Sequence, residues 1–144
     1  MDLYSKVYNI LDNKLIPNEC SNKLLEINNK IISNRLKINK LTASYYIEEN
    51  DKLLKLKEDI IDDISCYNFY SNNEKLDSYD LHGIYGNQVD SFLDAIFDYN
   101  SEKNNSNFKI ITGNGHVIKP KVIKYLRFYN VKYKVLEGII EVII

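Results

Sequence analysis

The chain has 144 residues, of which 44% are hydrophobic and 27% charged, and its formal net charge is −1. This length suits one compact domain with an appended element, and the composition excludes a disordered chain. No apolar run approaches the roughly 18–20 residues that cross a membrane, and the first residues do not resemble a signal peptide. Cys20 and Cys66 stand far apart without a CxxC pair. We therefore expect structural thiols in a reducing, cytoplasmic compartment.

The first half of the chain is predicted to be helical, because all five glycines lie at position 83 or later and apolar residues recur at helical spacing. Pro17 closes a first helix, and the polar residues 49–51 are the expected break between two longer helices. We predict a helical hairpin or bundle over residues 1–70 that serves as a scaffold or an interaction arm, followed by a polar connector at 71–75. The apolar stripes are Leu3, Val7, Ile10 and Leu11; Leu24, Ile27, Ile31, Ile38, Leu41 and Tyr45; and Leu53, Leu56, Ile60, Ile64 and Tyr67.

The second half of the chain has the pattern of an α/β domain. Short apolar strands at 76–81 and 108–112 alternate with amphipathic helices, and strands at 131–135 and 139–144 complete the order βαβαββ. This order predicts a small mixed sheet with two packed helices over residues 76–144, with a right-handed crossover between the parallel strands. The buried stripes of the two helices are Val89, Phe92, Leu93, Ile96 and Phe97, and Ile118, Val122, Leu126 and Tyr129.

The first strand of this domain ends in Asp80-Leu81-His82-Gly83. Because strand side chains alternate between faces, Tyr79 and Leu81 should point into the core while Asp80 and His82 point outward together. A carboxylate beside an imidazole at the carboxyl end of a strand can orient the ring for proton abstraction. A histidine before glycine is also often a plain turn residue that bonds a backbone group. The pair alone therefore leaves both interpretations open.

The second strand is followed by Thr112-Gly113-Asn114-Gly115-His116. A Gly-Asn-Gly turn before a helix presents backbone N–H groups that can hold a phosphate, and lysines at the helix start can neutralise charge on a phosphoryl oxygen. His116 fits equally as a phosphate contact or as a hydrogen-bonding residue of the loop. The predicted substrate-binding and phosphate-binding set consists of Gly83, Thr112, Gly113, Asn114, Gly115, His116, Lys119, Lys121 and Lys124.

Charge is unevenly distributed along the chain. From Ser101 onward, eight basic residues stand against three acidic ones, a net charge of +5, so residues 1–100 must carry −6 to reach the total of −1. A basic half around a glycine loop indicates a phosphate-rich partner, although a solvated helix face in a Lys-rich protein has the same composition. Tyr85 and Tyr125 could stack on a base, whereas aromatic residues at helical spacing usually belong to the core.

Four consecutive features resemble the Smr (small MutS-related) domain. They are Asp80-Leu81-His82-Gly83, an amphipathic helix, Ile110-Ile111-Thr112-Gly113-Asn114-Gly115, and Ile118-Lys119-Pro120-Lys121-Val122. The resemblance covers residues 76–144 and implies an α/β fold similar to the C-terminal domain of a bacterial translation initiation factor. Eukaryotic-type members often carry a preceding helical segment, which residues 64–73 resemble. Many relatives have a longer loop between the glycines and the Lys-Pro helix start than this chain has.

The resemblance implies an endonuclease, since the family includes DNA-nicking enzymes and endoribonucleases, some of which act on mRNA at stalled ribosomes. We predict catalysis by Asp80 and His82 on RNA rather than DNA, with His82 deprotonating a 2′-hydroxyl. No metal-ligand cluster surrounds these residues in the sequence, so we expect no metal and no other cofactor. The alternatives are a metal-dependent DNA nickase, a non-catalytic RNA-binding or ribosome-binding module, and an interaction protein that acts through its N-terminal helices. The oligomeric state is left open.

Overall fold

The computed structural model describes residues 1–37, 43–73 and 78–144, except for the side chain of Ser21. Contacts divide the chain into two compact units, Met1–Pro17 with Ser65–Ile144, and Asn18–Ile64. In chain order the elements are α1 (Leu3–Leu11), α2 (Ser21–Lys37), α3 (Ala43–Asn72), β1 (Ser78–Asp80), a 3-10 turn (Gly86–Gln88), α4 (Val89–Glu102), β2 (Asn107–Ile111), α5 (Ile118–Phe128), β3 (Lys132–Leu136) and β4 (Ile139–Ile143).

The described strands form a four-stranded mixed sheet in the order β1-β2-β4-β3. Strands β1 and β2 are parallel, with Asp80 opposite Ile111, and β4 runs antiparallel to both of its neighbours. This arrangement confirms the predicted βαβαββ order and the mixed sheet. Because β1 and β2 are parallel neighbours, the loops that follow them leave the same edge of the sheet. The predicted strand start at Leu76 lies outside the described residues.

The core of the unit that contains the sheet follows the predicted alternation. Tyr79 and Leu81 are each 1% exposed, whereas Asp80 is partly exposed and His82 is exposed. Burial of the two apolar side chains holds the end of β1 in place and turns the acid and the imidazole to the other face. The other fully buried side chains of this core include Val7, Phe69, Val89, Phe92, Leu93, Ile96, Ile110, Val122, Leu126 and Ile140.

Helix α1 packs against α4 within the same unit. The Tyr4 hydroxyl donates a hydrogen bond to Asp98 at 2.5 Å, and the Tyr8 hydroxyl donates to Glu102. These two hydrogen bonds are the main reason that the pKa of Tyr4 and the pKa of Tyr8 are each raised to about 12. The division of the chain into a helical extension over residues 1–70 and an α/β domain over residues 76–144 stays a prediction.

In the unit Asn18–Ile64, α2 and the first part of α3 share a small core. The break predicted at residues 49–51 is wrong, because α3 continues through them. The polar side chains there instead face α2, where the Asn34 amide donates to Glu49 at 3.1 Å and to Asn50 at 3.0 Å. A buried polar contact between two helices therefore has the same sequence pattern as a helix end. The buried apolar side chains of this core are Cys20, Ile27, Ile31 and Ile60.

The apolar stripe predicted for this unit is buried only in part. Tyr45 is 64% exposed and Leu56 is 48% exposed, so both stand outside the buried stripe, while Ile38 and Leu41 lie outside the described residues. The connector predicted at 71–75 begins inside α3, which extends to Asn72, and residues 74–77 are not described. None of the helices in the described part of the chain is long and apolar enough to cross a membrane.

Candidate functional site

Two loops meet at the sheet edge where β1 and β2 end. His82 follows β1 and Gly113 follows β2. A Cβ atom built on Gly113 would lie 3.0 Å from Nε2 of His82, so the imidazole rests directly against the glycine turn. The predicted acid–imidazole pair and the predicted glycine loop are thus brought together, although the whole of α4 separates them along the chain.

Asp80 and His82 are in direct contact. Nδ1 of His82 lies 2.5 Å from Oδ1 of Asp80, and the same oxygen accepts the backbone N–H of His82 at 2.9 Å. The Asp80 side chain is 24% exposed and that of His82 is 59% exposed. A carboxylate at Nδ1 favours the tautomer that carries its proton there, which leaves Nε2 able to accept a proton. Nε2 is the atom that faces Gly113, at the open end of the site.

The glycine loop is tied to the turn between β3 and β4. The carbonyl oxygen of Gly138 accepts the N–H groups of Thr112 at 3.0 Å and Gly113 at 3.1 Å. Thr112 is buried, and its hydroxyl donates to the Gly113 carbonyl at 2.9 Å. These donors are occupied within the protein, so they shape the loop. The exposed residues of the loop are Asn114, Gly115 and His116.

Three asparagines near the end of α3 hold the segment that carries His82. The Asn73 side chain pairs with Asp80, since its Oδ1 accepts the Asp80 N–H at 2.7 Å and its Nδ2 donates to the Asp80 carbonyl at 3.1 Å. Asn72 donates to the His82 carbonyl at 3.3 Å, and Asn68 donates to the carbonyl of Gly83 at 3.4 Å. Strand β1 lies at the edge of the sheet, so its outer backbone groups need such partners.

Sequence reasoning missed these asparagines. Their spacing places Asn68, Asn72 and Asn73 on one side of a helix, and the segment was noted only for its resemblance to relatives. Asparagine is abundant in this chain, which made each of them a weak signal. Gly83, predicted to contact substrate, has a φ of +86°. A Cβ there would lie 2.7 Å from Asn68 Nδ2, so glycine permits the close approach of α3.

The exposed end of the glycine loop continues into a basic groove on α5. Lys119 and Lys124 of the predicted phosphate-binding set line it, and Arg127 joins them one turn further along the helix. The sequence pattern places Arg127 on the outer side of the same helix, three residues after Lys124, but Arg127 is not in the predicted binding set. Val117 precedes α5 and provides no side-chain cap, so the helix begins with backbone N–H groups that a side chain does not cover. The groove is lined by Asn114, Gly115, His116, Lys119, Pro120, Ile123, Lys124 and Arg127.

Lys121 lies apart from the basic groove. Its Nζ is 3.2 Å from the position that a Cβ would take on Gly86, in the segment that follows His82. Lys121 lines a neighbouring cleft, and Lys124 lines both that cleft and the basic groove. The three predicted lysines are therefore divided between two sides of α5. Lys119 faces the basic groove, Lys121 faces the neighbouring cleft, and Lys124 borders both. Among the described residues, no group of three or more His, Cys, Asp or Glu side chains could hold a metal ion.

These features define a small α/β domain with an imidazole–carboxylate pair and a glycine loop at the carboxyl edge of its sheet. Residues 79–136, less than half of the chain, match the family model of the Smr domain. The match confirms the resemblance drawn from the motifs, and it indicates a nucleic-acid-binding or nuclease-like domain. No curated protein and no solved structure matches the chain significantly.

Proposed function

We propose that this protein is an endonuclease that cleaves RNA, with His82 as general base and Asp80 as the group that orients it. The observation that carries the proposal is the position of His82, whose Nδ1 is held by Asp80 while its Nε2 faces Gly113. A general base needs one nitrogen free where the substrate binds, and this arrangement supports that role for Nε2 of His82.

The simplest reaction on RNA is transfer of the phosphodiester to the neighbouring 2′-hydroxyl. Nε2 of His82 takes the 2′-hydroxyl proton, the 2′-oxygen bonds to phosphorus, and the bond from phosphorus to the 5′-oxygen breaks. The displaced 5′-oxygen takes a proton from water, and the other product ends in a 2′,3′-cyclic phosphate. The uncovered start of α5 and the Lys119 ammonium stabilise the negative charge that builds on the phosphoryl oxygens.

The loop residues divide into two roles under this proposal. Thr112, Gly113 and Gly83 shape the site, because their hydrogen bonds and backbone conformations serve the fold. The exposed or half-exposed residues contact the phosphate backbone directly, and they are Asn114, Gly115, His116, Lys119, Lys121 and Lys124. Arg127 extends this contact along the groove.

One incubation panel tests the reaction. Single-stranded RNA, duplex RNA and supercoiled DNA are each incubated with the protein, with and without EDTA. We expect cleavage of RNA that EDTA does not abolish. His82→Ala should reduce the rate by about 100- to 10,000-fold, the usual contribution of a general base, while RNA binding is largely retained. Cutting by the variant at the wild-type rate would refute the assignment, and EDTA-sensitive nicking of DNA alone would favour the nickase.

The basic groove also supports a second candidate, a non-catalytic module that binds RNA or the ribosome. Lys119, Lys124 and Arg127 line the groove beyond the Asp80–His82 pair, so binding does not require chemistry. This module would retard RNA in a gel with a steep salt dependence but yield no products after long incubation. Under either proposal, Lys119→Ala should lower the magnitude of the salt slope by about 1. The matched control is Lys103→Ala. Lys103 lies between α4 and the start of β2, away from the carboxyl ends of β1 and β2, so its replacement should leave the slope unchanged.

A further inference from the structure

A cluster of exposed aromatic rings lies at the end of α5. Phe128 is 77% exposed and Tyr129 is 56% exposed, with their ring centroids 4.9 Å apart, so the prediction that Tyr129 belongs to the buried stripe of α5 is wrong. Tyr125 lies behind them, and its ring centroid is 4.7 Å from that of Tyr129. Together with Lys121 and Lys124 these rings line a cleft of about 370 Å³, which we call the aromatic cleft. Rings this exposed contribute little to the core, so the fold does not account for them.

The inner ring of the aromatic cleft is held rigidly. The Tyr125 hydroxyl donates a hydrogen bond to Oδ1 of Asp94 at 2.5 Å. Burial and this hydrogen bond raise the pKa of Tyr125 well above its usual value, so the hydroxyl stays protonated and keeps donating. The hydrogen bond fixes the ring that supports Tyr129. Because the Tyr125 ring is already held, a flat ligand that stacks on the cleft does not have to order this side chain.

The charges around the aromatic cleft favour a nucleotide over a free anion or an apolar ligand. Lys121 and Lys124 stand on the α5 side and suit the phosphates of a nucleic-acid strand. Asp90 lines the opposite wall, where a carboxylate would repel phosphate but can accept a hydrogen bond from the amino group of a base. The flat face of a nucleobase complements the exposed rings. One ligand that has all three features is an unpaired nucleotide within a strand.

The aromatic cleft also adjoins the candidate site. Lys124 lines both the cleft and the basic groove, and Lys121 lies against Gly86, four residues after His82. We propose that the aromatic cleft binds an unpaired nucleobase of the strand whose phosphodiester lies at His82, so that the substrate is single-stranded or locally unpaired. This inference rests on the proposed function for the position of the strand. A paired base is buried in its own stack and would have to be extruded before it could enter.

A fluorescence titration tests the inference without any need for cleavage. The probe is a 2′-O-methyl oligoribonucleotide with a central 2-aminopurine, which has no 2′-hydroxyl to attack the phosphate. It is titrated with the full chain, once as a single strand and once annealed to its complement. We expect the fluorescence of the bound single strand to be quenched by stacking, and the duplex to bind more weakly. Equal affinity for both forms, or no binding to either, would overturn the proposal.

Variants locate the stacking surface. Phe128→Ala and Tyr129→Ala should each weaken binding of the single strand by about 5- to 100-fold and reduce the quenching. Phe128→Leu keeps apolar bulk but removes the ring, so it should also reduce the quenching. The matched control is Tyr45→Ala, which removes a ring of intermediate exposure, 64% against 77% and 56%, from the unit Asn18–Ile64 and should change neither quantity. Wild-type affinity and quenching in both alanine variants would refute the aromatic cleft as the binding surface.

The two proposals fail in different ways. If the wild-type protein quenches the probe through Phe128 and Tyr129 but cleaves no RNA, the nuclease proposal falls and the aromatic cleft stands. If RNA is cleaved through His82 but the two ring variants bind the probe like wild type, the nuclease proposal stands and the aromatic cleft falls. The thermal unfolding midpoint of each variant, measured in parallel, should match that of wild type because the replaced side chains are exposed.

Discussion

Replacement of Gly113 by alanine probes the contact between the glycine loop and His82. Gly113 has a φ of +66°, and a Cβ at this position would lie 3.0 Å from Nε2 of His82. An ordinary carbon contact begins at about 3.4 Å or more, so the imidazole must move by several tenths of an ångström or rotate away. Such a movement would break the alignment that Asp80 imposes through Nδ1. We therefore expect Gly113→Ala to impair catalysis more than it impairs folding.

Gly138 offers a matched control for the cost of placing alanine at a positive φ. Gly138 also has a φ of +66°, but a Cβ there would meet its nearest neighbour, the Cα of Gly113, at 3.5 Å. The left-handed conformation should cost either alanine variant about 1–2 kcal/mol of unfolding free energy. Only Gly113→Ala adds crowding of the imidazole. A Cβ on Gly115 would meet nothing within 4 Å, so Gly115→Ala should be nearly neutral for stability.

The assay combines urea denaturation with single-turnover cleavage of a fluorescent RNA. Displacement of a catalytic group by about 1 Å can cost about 100-fold in rate. For the smaller shift here we expect Gly113→Ala to cleave at least about 10-fold more slowly than Gly138→Ala, although the two variants unfold at similar urea concentrations. The ring NMR signals of His82 should also shift, and they are easily followed because the chain has two histidines. Equal cleavage rates for the two variants, with unshifted His82 signals, would refute the reasoning.

Three further predictions concern the hydrogen bonds that support this arrangement. Asn73→Asp keeps the acceptor for the Asp80 N–H but removes the donor to the Asp80 carbonyl. It should lower the unfolding free energy by about 1–2 kcal/mol in urea titrations and slow cleavage. An unchanged cleavage rate would show that Asn73 does not position the site. Asn34→Ala leaves polar groups of α3 without their buried partner, and it should lower the urea midpoint, whereas an unchanged midpoint would contradict the contact. For Tyr4 and Tyr8 the pKa rises from 10.0 to about 12, so their contribution to stability is complete below pH 10 and is lost as the pH rises through 12. The thermal unfolding midpoint should therefore fall less steeply between pH 9 and 12 when both tyrosines are replaced by phenylalanine. Parallel curves of midpoint against pH for the variant and the wild type would argue against the prediction.

The alternation of residues in β1 was readable from the sequence because it is a local property. A strand repeats every two residues, so burial of Tyr79 and Leu81 turns Asp80 and His82 outward together. The βαβ order likewise predicted that the ends of the two parallel strands would share an edge, since parallel strands joined by a helix run in the same direction. Local patterns together with this topological rule were sufficient to predict the fold class and the meeting of the two motifs.

Other parts of the site depend on contacts between distant residues. The Gly138 carbonyl occupies the N–H groups of Thr112 and Gly113 because β4 inserts beside β2, and this order of strands has no local signature. The pairing of Asn73 with Asp80 arises because α3 ends beside an edge strand, where an amide can replace a missing neighbour.

The sequence by itself predicted which residues would carry the proposed chemistry, and it determined on which face of β1 they stand, because side-chain type and strand period are local. The tertiary structure decided which of the loop donors are occupied within the fold, and it divided the lysines between the basic groove and the aromatic cleft. It also decided that residues 49–51 continue α3, because the buried Asn34 side chain gives Asn50 a partner across the helix pair. The physical reason is that a polar side chain can satisfy its hydrogen bonds in water, at a helix end or in a neighbouring element, and only the folded chain selects among them.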